Sequence, residues 1–208
     1  MAWVRAIESG FEFRDVNELE QYAGKGTSTG SISTSTVYSG TASLQINLSS
    51  RPRGKALSGT DKICARCGCF FRYAGVGVAD EGIIFYLPGS TDISITYDED
   101  DGLVRIRVGG TVVASDTPAN VGISTLNTWY NLALYVYRDA SAGVIDFYVG
   151  TVSKLSFTGN TGTYNAGIYV GGEETSSAWD LNTFVDDFYA DYSTSLEAHL
   201  PPPAYTYT

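Results

Sequence analysis

Apolar residues in this chain come in short runs that alternate with polar ones, and each run ends in Gly, Asn, Asp or Pro. Alternation with period two marks a half-buried strand, because successive side chains point to opposite faces. Ala42-Ser-Leu-Gln-Ile-Asn-Leu48 puts Leu44, Ile46 and Leu48 on one face, and Ile93, Ile95 and Tyr97 alternate with Asp92, Ser94 and Thr96. Asp101-Gly102 turns the chain into Val104, Ile106 and Val108. Gly109-Gly110 then turns it again into 111–114, the two-residue signature of a hairpin. Further strands are expected over 129–138, 144–149, 152–157, 166–170 and 183–191. Helical signals amount to single turns, one opened by the capping box Asp15-Val-Asn-Glu18 and one at Thr194-Ser-Leu-Glu197. Parallel strands need long, usually helical crossovers, so the order must be antiparallel, and two sheets packed face to face bury the apolar sides. The expected fold is all-β, an antiparallel two-sheet sandwich.

A chain of 208 residues with 23 Gly and 15 Tyr suits one such domain, assigned here to 1–199. Residues 200–208 follow as an extended tail, because Pro201, Pro202 and Pro203 favour polyproline geometry. No apolar run nears the roughly 20 residues of a membrane helix, and the first residues lack the basic-then-apolar pattern of a signal peptide. A net charge of −10 argues against a nucleic-acid partner. Charge is uneven, however: nine Lys/Arg stand against six Asp/Glu over 1–72, and four against seventeen beyond. The basic part centres on Arg51-Pro-Arg53-Gly-Lys55, readable as a solubilising loop or as a contact for an acidic neighbour.

Cys64, Cys67 and Cys69 have no second cysteine pair, and the one histidine, His199, is far along the chain. Zinc spacing is therefore incomplete. Their segment alternates like a strand, so buried reduced thiols are expected. The same alternation sorts the tyrosines. Leu132, Leu134 and Val136 face the core, leaving Tyr135 and Tyr137 on the other side. Ile145 and Phe147 leave Tyr148 out, and Ile168 and Val170 leave Tyr169 out. Aromatic faces of this kind stack on sugar rings, which makes Tyr135, Tyr137, Tyr148 and Tyr169 candidate glycan contacts.

Several stretches together resemble a known family. Gly10-Phe-Glu-Phe13, Tyr38-Ser-Gly-Thr-Ala-Ser-Leu44, Asn127-Thr-Trp-Tyr130, Gly143-Val-Ile-Asp-Phe-Tyr-Val149 and Phe184-Val-Asp-Asp-Phe188 occur in an order similar to concanavalin A-like and laminin G-like jelly rolls. The series from Asn127 to Phe188 resembles such domains in bacteriophage structural proteins. The resemblance implies a jelly-roll sandwich. It also implies a structural calcium held by Glu12 and Asp186. Strand alternation puts Asp186 on one face with Phe184 and Phe188, so it is expected to point inward. The alternative is an Asp186 satisfied by backbone amides or a basic side chain. Hydrolases of this fold carry acids at alternating positions on one strand, and no Glu-x-Asp-x-x-Glu pattern occurs here. The expectation is thus a protein without enzymatic activity: a virion structural protein, either a capsid decoration or a tail-associated component. Its expected partners are other virion proteins, copies of itself and a host surface glycan, with no membrane. Arg51, Arg53, Lys55, Pro201, Pro202 and Pro203 are its candidate interface. The alternatives are a stand-alone carbohydrate-binding module or lectin, and a polysaccharide hydrolase.

Overall fold

The computed structural model describes residues 3–9, 31–46, 53–57, 63–73, 81–98, 101–171 and 183–197. Among them the chain forms β1 (Val4–Ser9), β2 (Ser31–Ser33), β3 (Ser43–Ile46), β4 (Arg53–Ala56), β5 (Cys64–Tyr73), β6 (Glu81–Leu87) and β7 (Ile93–Asp98). It continues with β8 (Leu103–Val108), β9 (Thr111–Asp116), α1 (Pro118–Val121), β10 (Tyr130–Tyr137), β11 (Gly143–Val149), β12 (Val152–Gly159), β13 (Gly167–Val170) and β14 (Thr183–Ser193).

The strands form two antiparallel sheets. The larger, eight-stranded sheet runs β12-β11-β10-β5-β14-β3-β2, with β1 also on β14, and the smaller runs β4-β13-β6-β7-β8-β9. The all-β sandwich expected from the alternating runs is the observed fold. Its core lies between the sheets: Leu44, Phe71, Leu134, Ile145 and Phe147 meet Phe85, Ile95, Ile106 and Ile168. Phe85 and Phe147 touch edge to face across the gap, with ring centroids 6.5 Å apart. Each such side chain contributes roughly 1.5–3 kcal/mol on burial. The β8–β9 hairpin turns at Gly109 and Gly110, with φ of 56° and 78°. Positive φ at both positions matches the right-handed twist of the flanking strands.

Some elements escape the alternation. In β6 the register against β7 shifts between Ile83 and Phe85, so Ile84 and Phe85 both enter the core. That bulge removes the period-two signal from an apolar run. The one-turn α1 is built from caps: Thr117 accepts from the Asn120 amide, Pro118 opens the turn, and Gly122 closes it at φ 92°. No helical turn forms at Thr194–Glu197, which was expected to start one. There Ser195 Oγ donates to Glu197 Oε1 at 3.0 Å and the Ser195 amide to Ser193 Oγ, so the hydroxyls hold a bend instead. Arg53 and Lys55 lie on β4, an edge strand, and not in a loop. Arg51, Glu12, the capping box at Asp15, and Pro201, Pro202 and Pro203 lie outside the described residues. The three thiols are reduced and buried; burial pushes those of Cys67 and Cys69 well up, which suits inert core residues. Among the described residues no helix is long and apolar enough to cross a membrane.

One end of the sandwich is tied by a buried cation. Arg138, just past β10, is 2% exposed. Its Nε donates to Asn165 Oδ1 and its Nη2 to the Leu87 carbonyl, both at 2.8 Å, while Nη1 reaches the carbonyls of Thr91 and Thr161. Burial pushes this guanidinium down to about 10. Four acceptors from two segments, 87–91 after β6 and 161–165 after β12, thus converge on one side chain. Replacing Arg138 with Met should strand these acceptors and cost roughly 3 kcal/mol or more in urea unfolding. Arg138→Lys should recover part of the loss, and a Met variant as stable as the parent would show that the carbonyls find other donors.

Candidate functional site

The outer face of the larger sheet carries the polar chemistry. On β5 the inward residues are Cys67, Cys69, Phe71 and Tyr73, so Arg66, Gly68, Phe70 and Arg72 alternate on the other side. The strand register then builds a row across the sheet. Asp146 on β11 pairs with Tyr135 on β10, Tyr135 with Arg66 on β5, Arg66 with Asp191 on β14, and Asp191 with Arg5 on β1. Arg66 Nε reaches Asp191 Oδ2 at 2.9 Å, and Arg5 Nε holds the other oxygen of the same carboxylate. The Arg66 guanidinium lies 4.5 Å from the centroid of Trp3, whose ring meets Tyr135 edge to face. Tyr135 and Tyr148 are almost wholly buried here, at 2% and 7% exposure, and Tyr137 is half-buried. Burial pushes the Tyr135 and Tyr148 phenols up, so both stay protonated at neutral pH.

Two carboxylates on one face invite comparison with glycosidase pairs. Asp146 and Asp191 are three strands apart in the same row, which sets their backbones about 14 Å apart. Acid pairs that flank a glycosidic bond stand roughly 5–10 Å apart. Asp191 is moreover neutralised by two arginines. This pair is not a hydrolytic one.

The opposite end of the face is more open. Tyr38, 46% exposed, stacks on Phe70 with centroids 3.4 Å apart, and meets Trp129 edge to face at 5.9 Å. Phe70 and Trp129 are half-buried. Arg72 stands two residues beyond Phe70 on the same face, over the Phe184 ring at 5.8 Å. Its Nη2 donates to Asn127 Oδ1 at 3.1 Å. Asn127 is held in the left-handed region, φ 59°, with its amide donating to the Tyr73 carbonyl.

What presents Tyr38 is a bulge in β14. The register against β5 shifts between Asp186 and Tyr189, and Asp187 takes φ 49°. Val185 and Phe188 therefore both face the core, while Asp186, opposite Phe70, lies on the outer side with Phe184. The inward Asp186 expected from strict alternation is thus corrected by one inserted residue. Asp186 is nevertheless 0% exposed. Its Oδ2 accepts the amides of Tyr38 and Ser39 at 3.0 and 3.2 Å, and its Oδ1 the amide of Asp187 at 2.9 Å. Ser39 Oγ donates to Asp187. Backbone amides thus hold the carboxylate for which the resemblance implies a calcium shared with Glu12. Among the described residues no group of three or more His, Cys, Asp or Glu gathers for a metal.

Of the four tyrosines singled out from alternation, Tyr135, Tyr137 and Tyr148 share the larger sheet's outer face. Tyr169 does not join them. It sits on the outer face of the smaller sheet, paired with Tyr86 at 6.2 Å. Tyr38, Phe70, Arg72 and Trp129 were not singled out. The alternation of β5, used for its cysteine face alone, also puts Phe70 and Arg72 together on the other face; Tyr38 depends on the bulge, which has no periodic signature.

No protein-family model matches the chain, and no curated protein sequence matches it. Solved structures do share the fold. A cellulose-induced protein, Cip1, superposes with a TM-score of 0.62 at 10% identity, covering 91% of this chain and 97% of its own. A conserved carbohydrate esterase from Shiga toxin-encoding bacteriophage phi24B gives 0.60 at 11% identity, covering 92% and 99%. An alginate lyase from Chlorella virus gives 0.59 at 10% identity, covering 86% and 98%. The sandwich is confirmed by these likenesses. The expectation of a non-enzymatic virion structural protein is overturned: the same architecture carries an esterase and a lyase. The motifs behind that expectation are strand and turn signatures, which specify the sandwich and leave the use of its outer faces open.

The buried Asp186 carboxyl yields a prediction. Burial, its largest influence, pushes it up to about 7 against the pull of the Ser39 and Tyr38 amides. A carboxyl raised in the folded state contributes stability that is full below its unfolded value near 4 and is lost as pH rises through 7. Asp186→Asn cannot ionise, so its stability relative to the parent should improve steadily from pH 4 to pH 7 in urea unfolding. A difference that stays constant over that window would mean Asp186 is ionised throughout.

Proposed function

We propose that this protein is a carbohydrate-active sandwich that engages polysaccharide on the outer face of its larger sheet, at the cluster of Tyr38, Phe70 and Trp129. The observation that carries the reading is this cluster itself. A half-exposed tyrosine is stacked on a phenylalanine and edged by a tryptophan, so its ring is held in place before any ligand arrives. Preorganised rings offer sugar C–H faces a surface at low entropic cost. Polar groups that could fix orientation stand beside it in Arg72 and Asn127. The three structural likenesses support the reading, since they include a carbohydrate esterase and an alginate lyase. Four residues along β5 from Phe70, about 13 Å away, the row around Arg66 offers further polar contacts to a chain of several sugars. The neighbouring Tyr137 is its half-buried tyrosine.

Calorimetric titration against a polysaccharide panel tests the reading. Trp129→Ala and Tyr38→Ala should each weaken binding roughly tenfold or more, the worth of one lost stacking contact, while the unfolding midpoint changes little. The same incubations report any turnover: ultraviolet-absorbing unsaturated ends signal elimination, new reducing ends hydrolysis, and released acetate deacylation. No binding and no product across the panel would sink the proposal, as would binding unaffected by both substitutions.

A further inference from the structure

Resting on that reading, we infer that the Tyr38–Phe70–Trp129 site takes an acidic glycan, and that Arg72 recognises its carboxylate. The other arginines whose contacts are described are already engaged, Arg107 by the Gly110 carbonyl among others. Arg5 and Arg66 share Asp191, and Arg105 binds Asp98 and Asp101. Arg138 is enclosed by carbonyls. In a chain with ten negative charges in excess, carboxylates are abundant. Arg72 nevertheless has no carboxylate partner among the described residues, and the partners that hold it are neutral: the Asn127 side chain and the Phe184 ring.

Among the described residues, the acids that follow its strand partner Phe184 are already committed. Asp186 spends both oxygens on backbone amides, and Asp187 holds the Ser39 hydroxyl. Among the described residues the guanidinium is therefore oriented but not neutralised. Asn127 holds one end of the fork, and Nη1 has no partner among the described residues. Half-burial reduces screening by salt, which raises the value of an incoming anion. Planar, fork-shaped donors suit a carboxylate better than a point charge would.

Spacing supplies the rest. Phe70, which carries the Tyr38 ring, and Arg72 are two residues apart on one strand face, about 7 Å, a span that a sugar ring, its exocyclic carboxylate and one hydrogen bond to the guanidinium cover together. Trp129 lies two residues past Asn127, so the residue that orients Arg72 belongs to the segment that supplies the tryptophan. A neutral sugar would use the rings and leave the cation unanswered; a uronic acid uses both.

Matched pairs of oligosaccharides test this directly. Oligoglucuronate is compared with cello-oligosaccharide of the same length, which differs only in carrying hydroxymethyl for carboxylate. Alginate and pectate fragments are each compared with their carboxyl-reduced forms. On any pair that binds, the acidic member should bind about tenfold tighter or more. That preference should shrink as sodium chloride is raised. Arg72→Gln should remove the gap between the acidic and the neutral member, and Arg72→Lys should restore only part of it. Should Arg72→Gln fail to fold, the salt dependence and the Lys variant decide alone. Equal affinity within the pairs, or a preference that survives in the Gln or Lys variant at full size, overturns the inference while leaving the glycan-binding reading intact. If no member of any pair binds, the glycan-binding reading fails and takes this inference with it.

Discussion

The bulge at Asp186 and Asp187 governs how the larger sheet is assembled. β14 pairs with β5 along nearly its whole length, but its other edge serves two strands in turn. β3 takes Thr183, Phe184 and Val185, and β1 takes the stretch from Phe188 to Tyr192. At the handover the edge has no strand partner, and buried backbone groups left there would be costly. The chain answers with an inserted residue in the left-handed region, which Asp tolerates better than most side chains. The carboxylate of Asp186 then accepts two amides from the turn that enters β3. A side chain thereby substitutes for the missing strand. The same turn carries Tyr38, and the residue opposite Asp186 is Phe70, on which Tyr38 stacks. The aromatic site is thus a by-product of satisfying a strand edge, and its geometry inherits the rigidity of the sheet.

Two polar devices hold the sandwich, and they differ in kind. Arg138 gathers carbonyls and one amide side chain, all neutral, around a cation that burial would rather discharge. The row from Asp146 to Arg5 instead alternates acid, phenol and base in strand register. Ion pairs of this type add little net stability, because desolvation offsets most of the Coulombic gain. They do penalise error. A one-residue slip of β5 against β14 would turn Arg66 into the core and leave Asp191 without it, so the row opposes wrong registers more than it strengthens the right one.

How much of this was legible follows from where alternation holds. β7, β8, β10 and β11 keep strict parity, and their core faces, turns and outward tyrosines could be read residue by residue. The expected sandwich follows from them. Where a strand bulges, the reading breaks. Ile84 in β6 and Asp187 in β14 each shift parity by one, hiding the first strand and reversing the assigned side of Asp186. Strand parity also says which way a side chain points, not which sheet it stands on. Tyr148 and Tyr169 both read as outward, and they lie on opposite faces of the molecule. Nor does outward mean exposed: Tyr135 faces away from the core yet lies under Trp3, a contact between residues 132 positions apart that no local pattern encodes.

The division of labour between parities also explains why the fold is legible and the function less so. Core positions on each strand are constrained by packing between the sheets, so their pattern recurs in any sandwich of this shape, whatever it does. The alternate positions answer only to what covers them. On β5 the inward Cys67, Cys69 and Phe71 could be exchanged for other apolar residues of similar volume at modest cost, while Tyr73 also donates its hydroxyl to the Ile123 carbonyl. The outward set cannot be treated so. Gly68 is needed because the Tyr189 ring lies against it, where a Cβ would sit 2.6 Å from a ring carbon. Arg66 neutralises Asp191, Phe70 supports Tyr38, and Arg72 extends a cation beside the rings. One ten-residue strand therefore carries two messages interleaved at period two: one tells the chain to become a sandwich, and the other tells the sandwich what to hold.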